Sequence, residues 1–242
     1  MELSVFMPAY REAENLKSIL PQLIRVLSEM NISYEVIVVD TMEPMDDAEE
    51  ICGKYDMLYI NRKNGNSYGD AIRTGIEAAR GKYTVIMDSD GSHNPEDIPS
   101  FYEEIKKENC DLIIGSRYCK GGETDNNLIL KFMSYFLNVT YRVFFRLPVK
   151  DVSDSYRMYD SEKLKSIELE CDNFDIVEEI IIKLYYSFPG FCVKEYPIKF
   201  SKREAGKSKR NLIKFIFSYI KTMKRLGRIK KETRKKNDRL KE

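Results

Sequence analysis

The 242-residue sequence has a single histidine, His93. Its five cysteines (Cys52, Cys110, Cys119, Cys171 and Cys192) are scattered, with no CxxC pair. That odd, unpatterned set argues against a zinc site and for reduced thiols in a cytoplasmic chain. No Gly-Lys-Ser/Thr loop and no GxGxxG is present, so neither a Walker loop nor a dinucleotide fingerprint is expected. No basic segment precedes the first apolar run, so no secretory leader is read. The best candidate for a membrane span, residues 128–147, is interrupted by Lys131, Asn138, Arg142 and Arg146. There is no internal repeat.

What is present is a strong charge asymmetry behind a formal net charge of +1. Of the 40 basic and 39 acidic residues, 17 and 4 fall within 202–242. That leaves 23 and 35 for the rest, so a body of net −12 carries a tail of net +13. Such a tail is expected to meet something anionic. Apolar residues make up 43% of the chain, enough for a sizeable core.

The chain is organised around Asp88-Ser89-Asp90. The apolar run Tyr83-Thr84-Val85-Ile86-Met87 reads as a buried strand that delivers these acids to a sheet edge. Two carboxylates one residue apart can share a hard cation such as Mg²⁺ or Mn²⁺, with substrate phosphates in its shell. The first half alternates strand and helix about five times. Strands are expected to end at Pro8, Asp40, Asp88 and Arg117, the side of an open parallel sheet where ligands gather. Residues 14–30 carry a one-sided apolar pattern for a helix that Pro21 should kink or divide. Residues 70–80 read as a helix with Gly81 as its C-cap. Pro95 should open another, capped by Asn94.

Further on, residues 128–147 form a Phe/Tyr-rich helix whose aromatic and basic mixture suits a membrane interface. Residues 155–160 read as a short edge strand, 174–186 as a helix, and 193–200 as one strand. From residue 211 a helical pattern bears Leu212, Phe215, Ile216, Tyr219, Ile220, Met223 and Leu226 on one face. The expected division is thus a 1–210 α/β domain and a 211–242 basic amphipathic tail. The tail would bind an anionic membrane surface or a membrane protein partner. Nucleic acid is not an expected partner, since the tail lacks a separate folded module.

Six stretches in order resemble glycosyltransferase family 2, and within it the dolichyl- or polyprenyl-phosphate mannosyltransferase group. Pro8-Ala9-Tyr10-Arg11-Glu12 is similar to P-x-Y-N-E, and Gly69-Asp70-Ala71 with Gly75 to G-x-A…G. Residues 88–96 resemble D-x-D-x-Q/S-H-x-P-E, and residues 115–122 resemble GSRY-x-x-GG. Asp151-Val152-Ser153-Asp154-Ser155-Tyr156-Arg157 resembles D-x-T/S-G-S-F-R. Pro197-Ile198 through Lys209 resembles P-I-x-F…R-x-x-G-x-S-K.

The resemblance implies a GT-A fold: a Rossmann-like, mostly parallel sheet with helices on both faces. It implies an inverting, metal-dependent transfer of a mannose- or glucose-type sugar from a GDP- or UDP-linked donor to a polyprenyl or dolichyl phosphate, at the inner face of the membrane. Pro8, Tyr10, Glu12, Asp40 and Asp88 would hold the nucleotide. Asp88 and Asp90, with Ser92, would hold the metal, and Arg117, Arg203 and Lys209 would clamp phosphates. A phosphate acceptor is already an anion and needs no general base, which fits a chain with one histidine. His93 is then expected to be structural. Glu179 lies where the family carries a helix acid, either as partner to a buried arginine or lining the acceptor cleft.

The chain departs from the pattern in three places. Arg11 replaces Asn, Thr41 follows Asp40 where a second Asp is usual, and Asp154 replaces Gly. Two other readings are compatible with these residues: transfer to a sugar hydroxyl of a polysaccharide or glycolipid, and nucleotide-sugar binding without catalysis.

Overall fold

The described residues form nine strands: β1 (Leu3–Pro8), β2 (Tyr34–Asp40), β3 (Leu58–Asn61), β4 (Tyr83–Ile86), β5 (Leu112–Ser116), β6 (Glu123–Thr124), β7 (Arg157–Asp160), β8 (Val193–Pro197) and β9 (Lys199–Phe200). The helices between them are α1 (Ala13–Glu29), α2 (Ala48–Gly53), α3 (Tyr68–Ala78), α4 (Ile98–Lys107), α5 (Leu128–Phe145), α6 (Ser161–Lys165) and α7 (Ile176–Ser187). These come from a computed structural model that describes residues 1–202, 219–228 and 230.

Seven strands make one sheet in the order β3-β2-β1-β4-β7-β5-β8. All pairs are parallel except those of β7, which runs antiparallel to both β4 and β5. The sheet is covered on both faces, and the period-2 alternation of each strand feeds two cores. Phe6, Ile37 and Val39 join the core under α3, α5 and α7. Val5, Met7, Val36 and Val38 join the core under α1 and α4. Each such side chain contributes roughly 1.5–3 kcal/mol by leaving water.

Several sequence expectations need correction. The strand after residue 155 is not at an edge: β7 lies between β4 and β5. It tolerates its buried Arg157 because that guanidinium donates to the carbonyls of Val152, Asp154 and Val177. Pro21 does not divide α1, which is continuous from Ala13 to Glu29. Pro21 and Lys17, whose carbonyl loses its helical partner, both lie on the exposed face, where water can satisfy that oxygen. Gly81 is not a helix cap, since α3 ends at Ala78 with Ala79 following in an extended conformation. Glycine is needed there for close approach: a Cβ on Gly81 would sit 2.5 Å from the Ser4 nitrogen. The strand expected over 193–200 is split, and β9 leaves the main sheet to pair with β6.

Residues 219–228 are helical and pack on the body. Tyr141 of α5 donates to the Tyr219 carbonyl at 3.0 Å, Thr222 donates to Asp175, and Leu226 is fully buried. The expected boundary at residue 210, and Leu212, Phe215 and Ile216, lie outside the described residues. Among the described residues no helix is long and apolar enough to cross a membrane.

Candidate functional site

β1, β2, β4 and β5 point the same way, so Pro8, Asp40, Asp88 and Arg117 do reach one edge of the sheet. From β1 the chain builds outward through β2 and β3, then returns to place β4 on the other side of β1. That reversal opens a crevice between the ends of β1 and β4, the usual ligand position in an open α/β sheet. Ser89 bridges it, its hydroxyl donating to the Pro8 carbonyl at 2.8 Å.

Asp88 and Asp90 are both half-buried. Asp88 Oδ1 accepts from the Ser155 hydroxyl at 3.0 Å and the Tyr68 hydroxyl at 3.4 Å. Tyr68 is held by stacking on Phe174, centroid to centroid 4.5 Å. Next to it Gly69 must be glycine, because a Cβ would fall 2.1 Å from the Cys171 carbonyl oxygen. Asp90 Oδ1 accepts from both the amide and the hydroxyl of Ser92, at 3.0 and 2.5 Å. Ser92 thus fixes the Asp90 side chain. Among the described residues no group of three or more His, Cys, Asp or Glu is set to hold a metal. A pair of carboxylates fits a cation such as Mg²⁺ that draws the rest of its shell from water and a substrate diphosphate.

His93 is fully buried and stacks on Tyr156 at 4.7 Å. Its Nδ1 accepts the Asp88 backbone N–H at 3.0 Å, and its Nε2 faces Asp154 Oδ1 at 3.3 Å. Burial opposes charge on the ring, while the Asp88 and Asp154 carboxylates raise its pKa. The N–H aimed at Nδ1 leaves Nε2 as the place for a proton.

The guanidinium of Arg117 is committed to carboxylates. It grips Asp151 with two bonds of 2.8 Å and lies 3.1 Å from Asp154 Oδ2. Burial works against its charge, but Asp151 and Asp154 hold its pKa above the ordinary arginine value. Burial likewise opposes the charge of Asp154, and Arg117 and His93 bring its pKa down to about 2. The Nε and Nη2 side of the Arg117 fork is therefore turned to protein. Through those nitrogens it braces the 151–154 loop. Asn138 of α5 completes that loop by accepting the Val152 and Ser153 amides at 2.6 and 3.0 Å.

On the β2 side, Asp40 is fully buried and accepts from the Thr41 amide at 2.7 Å and the Tyr59 hydroxyl at 3.0 Å. Glu12 accepts from Asn15 at 2.5 Å, and Tyr10 lies half-buried in the loop after Pro8. Sequence reasoning missed Arg62. Its buried guanidinium donates to the carbonyls of Ala9, Asn66 and Ser67, tying the loop after β1 to its own loop after β3. Burial lowers its pKa against the pull of Asp40 and Asp70. The available signal was a lone arginine directly after a strand. Tyr68 and Ser155 were also missed, although each lies in or beside a quoted motif. Arg203 and Lys209 lie outside the described residues. Glu179 accepts from the amides of Glu170 and Cys171 and pairs with Lys183 at 2.9 Å, which gives it structural partners.

Comparison with known proteins fits this geometry. The pattern described as Glycosyl transferase family 2 matches residues 4–168. Dolichol-phosphate mannosyltransferase of Pyrococcus furiosus is 35% identical over 234 residues, 93% of this chain. The chain spans 64% of that protein's length. Undecaprenyl-phosphate mannosyltransferase of Micrococcus luteus is 29% identical over 220 residues, 86% of this chain and 87% of that protein. Glucosyl-3-phosphoglycerate synthase from Mycobacterium tuberculosis, solved with Mn²⁺, UDP and phosphoglyceric acid, superposes with a TM-score of 0.72. The match covers 93% of this chain and 78% of that one at 16% identity, a likeness of fold alone. The same synthase with Mg²⁺ and UDP gives 0.67, over 92% of this chain and 76% of that one, at 15% identity. With the motif order, the crevice at the switch point and the match over 4–168 in agreement, the chain belongs to glycosyl transferase family 2 and has its GT-A fold.

Proposed function

We propose that this protein is an inverting, metal-dependent hexosyltransferase. It moves a mannose- or glucose-type sugar from a GDP- or UDP-linked donor to a polyprenyl or dolichyl phosphate, working peripherally at the inner face of a membrane. The observation that carries this reading is the delivery of Asp88 and Asp90 to the crevice beside Pro8. The two relatives named for polyprenyl-phosphate acceptors support it.

Asp88 and Asp90 would hold Mg²⁺ or Mn²⁺, with Ser92 fixing the second carboxylate. Bound there, the cation neutralises charge that grows on the departing diphosphate. Pro8, Tyr10, Glu12 and Asp40 line the nucleoside side, braced by Arg62. Arg203 and Lys209 are assigned to substrate phosphates, where forked arginine donors are well matched. Inversion follows from one displacement, with the acceptor oxygen entering opposite the departing diphosphate. An acceptor phosphate enters as an anion, so no side chain has to deprotonate it, and His93 is free to serve as a strut.

The exposed face of α5 supports the membrane assignment. Leu128, Ile129, Phe132, Phe136 and Val143 are 66–84% exposed, beside exposed Arg142 and Arg146. Apolar and cationic groups together suit an anionic interface.

The test is sugar transfer from labelled GDP- and UDP-sugars to a polyprenyl phosphate, with Mg²⁺ or Mn²⁺, counted in the organic phase. Label from one donor that disappears in Asp90→Ala is the expected result. No label from any donor, in protein that binds nucleotide, would overturn the lipid-phosphate acceptor.

A further inference from the structure

Asp88 is gripped twice from one short segment. The Ser155 hydroxyl donates to its side chain at 3.0 Å. From the residue before, Asp154 reaches its backbone by way of His93, across 3.3 Å to Nε2 and 3.0 Å from Nδ1 to the Asp88 N–H. Asp154 is itself immobilised. It is buried, it accepts the Tyr156 amide at 2.9 Å, and Arg117 stands 3.1 Å away. The ring plane of His93 is set by Tyr156 on one face and by the edge contact with Phe200 at 5.5 Å. Stacking fixes the plane but does not choose which nitrogen carries the proton. A carboxylate can only accept, so the charge of Asp154 3.3 Å from Nε2 favours the proton there and leaves Nδ1 as an acceptor.

We propose that Asp154 is a positioning residue for the metal-site carboxylate Asp88, acting through the tautomer and orientation of His93. It rests on the reading that Asp88 and Asp90 hold a divalent cation. Asp154 touches neither donor nor acceptor in this scheme. It holds the strand-end backbone from which Asp88 projects.

Because the chain has one histidine, a ¹⁵N histidine spectrum of the full-length protein reports His93 alone. Recorded at mildly alkaline pH, it should show a neutral ring protonated at Nε2. Asp154→Asn, which keeps the shape and adds a donor, should shift the proton toward Nδ1. The same variant should bind Mn²⁺ about tenfold more weakly in the presence of GDP or UDP, read by electron paramagnetic resonance. Asp154→Ser, which removes the Nε2 partner without adding a competing amide, should weaken Mn²⁺ to a similar extent, and it serves where the Asn variant does not fold. A wild-type ring protonated at Nδ1 would overturn the proposal. So would a folded variant whose tautomer and Mn²⁺ affinity both match wild type. Wild-type protein that takes up no Mn²⁺ with either nucleotide would instead overturn the metal reading beneath it.

Discussion

At the amino ends of β1 and β2, Glu35 is buried against Arg80. Its two oxygens accept from the Ser4 hydroxyl, the Arg80 amide and two guanidinium nitrogens, at 2.6–2.8 Å. At the carboxyl end of β4, Asp154 and Asp151 are buried against Arg117, with His93 in the same cluster. The ingredients are alike, and Glu35 and Asp154 are each held below the usual pKa against burial. The difference lies in what each cluster faces. Glu35 closes a knot over Gly81 and leads nowhere. Asp154 leads through His93 to Asp88, a half-buried carboxylate at the mouth of a crevice. One edge of the sheet uses charge to stay folded, and the other uses it to aim a charge.

The largest effect should come from breaking the aimed end. Asp88→Ala should lower sugar transfer on the order of 10²–10³-fold, the scale of losing one fixed electrostatic partner of a developing charge. Its melting temperature should stay close to wild type, since Asp88 is half-buried. A comparable loss of both would place Asp88 with Glu35, as a folding residue.

Glu35→Ala should do the opposite. The buried hydroxyl of Ser4 loses its acceptor and the Arg80 amide keeps only the Ser4 oxygen at 3.0 Å, while the exposed Arg80 side chain returns to water. The cost should be about 2–3 kcal/mol in denaturant unfolding, with activity per folded molecule unchanged. The pH dependence has a definite sign. Glu35 has a lowered folded pKa, so its contribution is present above the ordinary glutamate value and is lost as pH falls through the folded one.

This contrast also marks what the sequence could tell. The placement of Asp88 and Asp90 beyond a buried strand was legible because local signals sufficed: a β-favouring run, then acids and a turn. The knots were not. His93, Arg117 and Asp154 lie far apart in the chain, and only β7 brings them together. That strand has four residues, and nothing in them says that it enters the sheet between β4 and β5 antiparallel to both. Arg117 was legible as a strand-end cation, but its commitment to Asp151 depends on a loop 34 residues away. Gly81 read as a cap because glycine after a helix usually is one, whereas here it is demanded by the backbone of Ser4.

A third buried carboxylate sharpens the comparison. Glu178 of α7 is fully buried, and burial pushes its pKa up to about 8 against the pull of Arg157. Arg157 spends its guanidinium bonds on backbone carbonyls. Glu178 therefore has the opposite sign to Glu35. The folded state binds the extra proton, so stability is full below the ordinary glutamate value and falls as pH rises toward about 8. Glu178→Gln should remove that slope and stabilise the protein by about 2 kcal/mol at mildly alkaline pH. Unfolding curves across pH measure it. A variant that keeps the slope would show that another group carries it.

The smallest effect concerns the backbone of the two edges. At the amino edge, left-handed backbone before β2, β3 and β5 is held by Asn31, Asp56 and Asn109, residue types that tolerate it. At the carboxyl edge the same conformation falls on Arg11, at φ 57, between Tyr10 and Glu12. Arginine has no side-chain device that favours this conformation, and its Cβ meets the following carbonyl. Arg11→Asn should therefore stabilise the protein by about 0.5 kcal/mol, a fraction of the 1–2 kcal/mol that left-handed backbone costs an ordinary residue. Arg11→Ala keeps the Cβ and should give no gain. If Arg11 serves only as backbone, donor KM stays the same in both variants. A rise in KM in both, alongside the gain in stability for Asn alone, would mean that the strained position is occupied by arginine for its charge. The carboxyl edge would then be tolerating backbone strain in return for a cation beside the nucleotide, a trade that the amino edge has no reason to make.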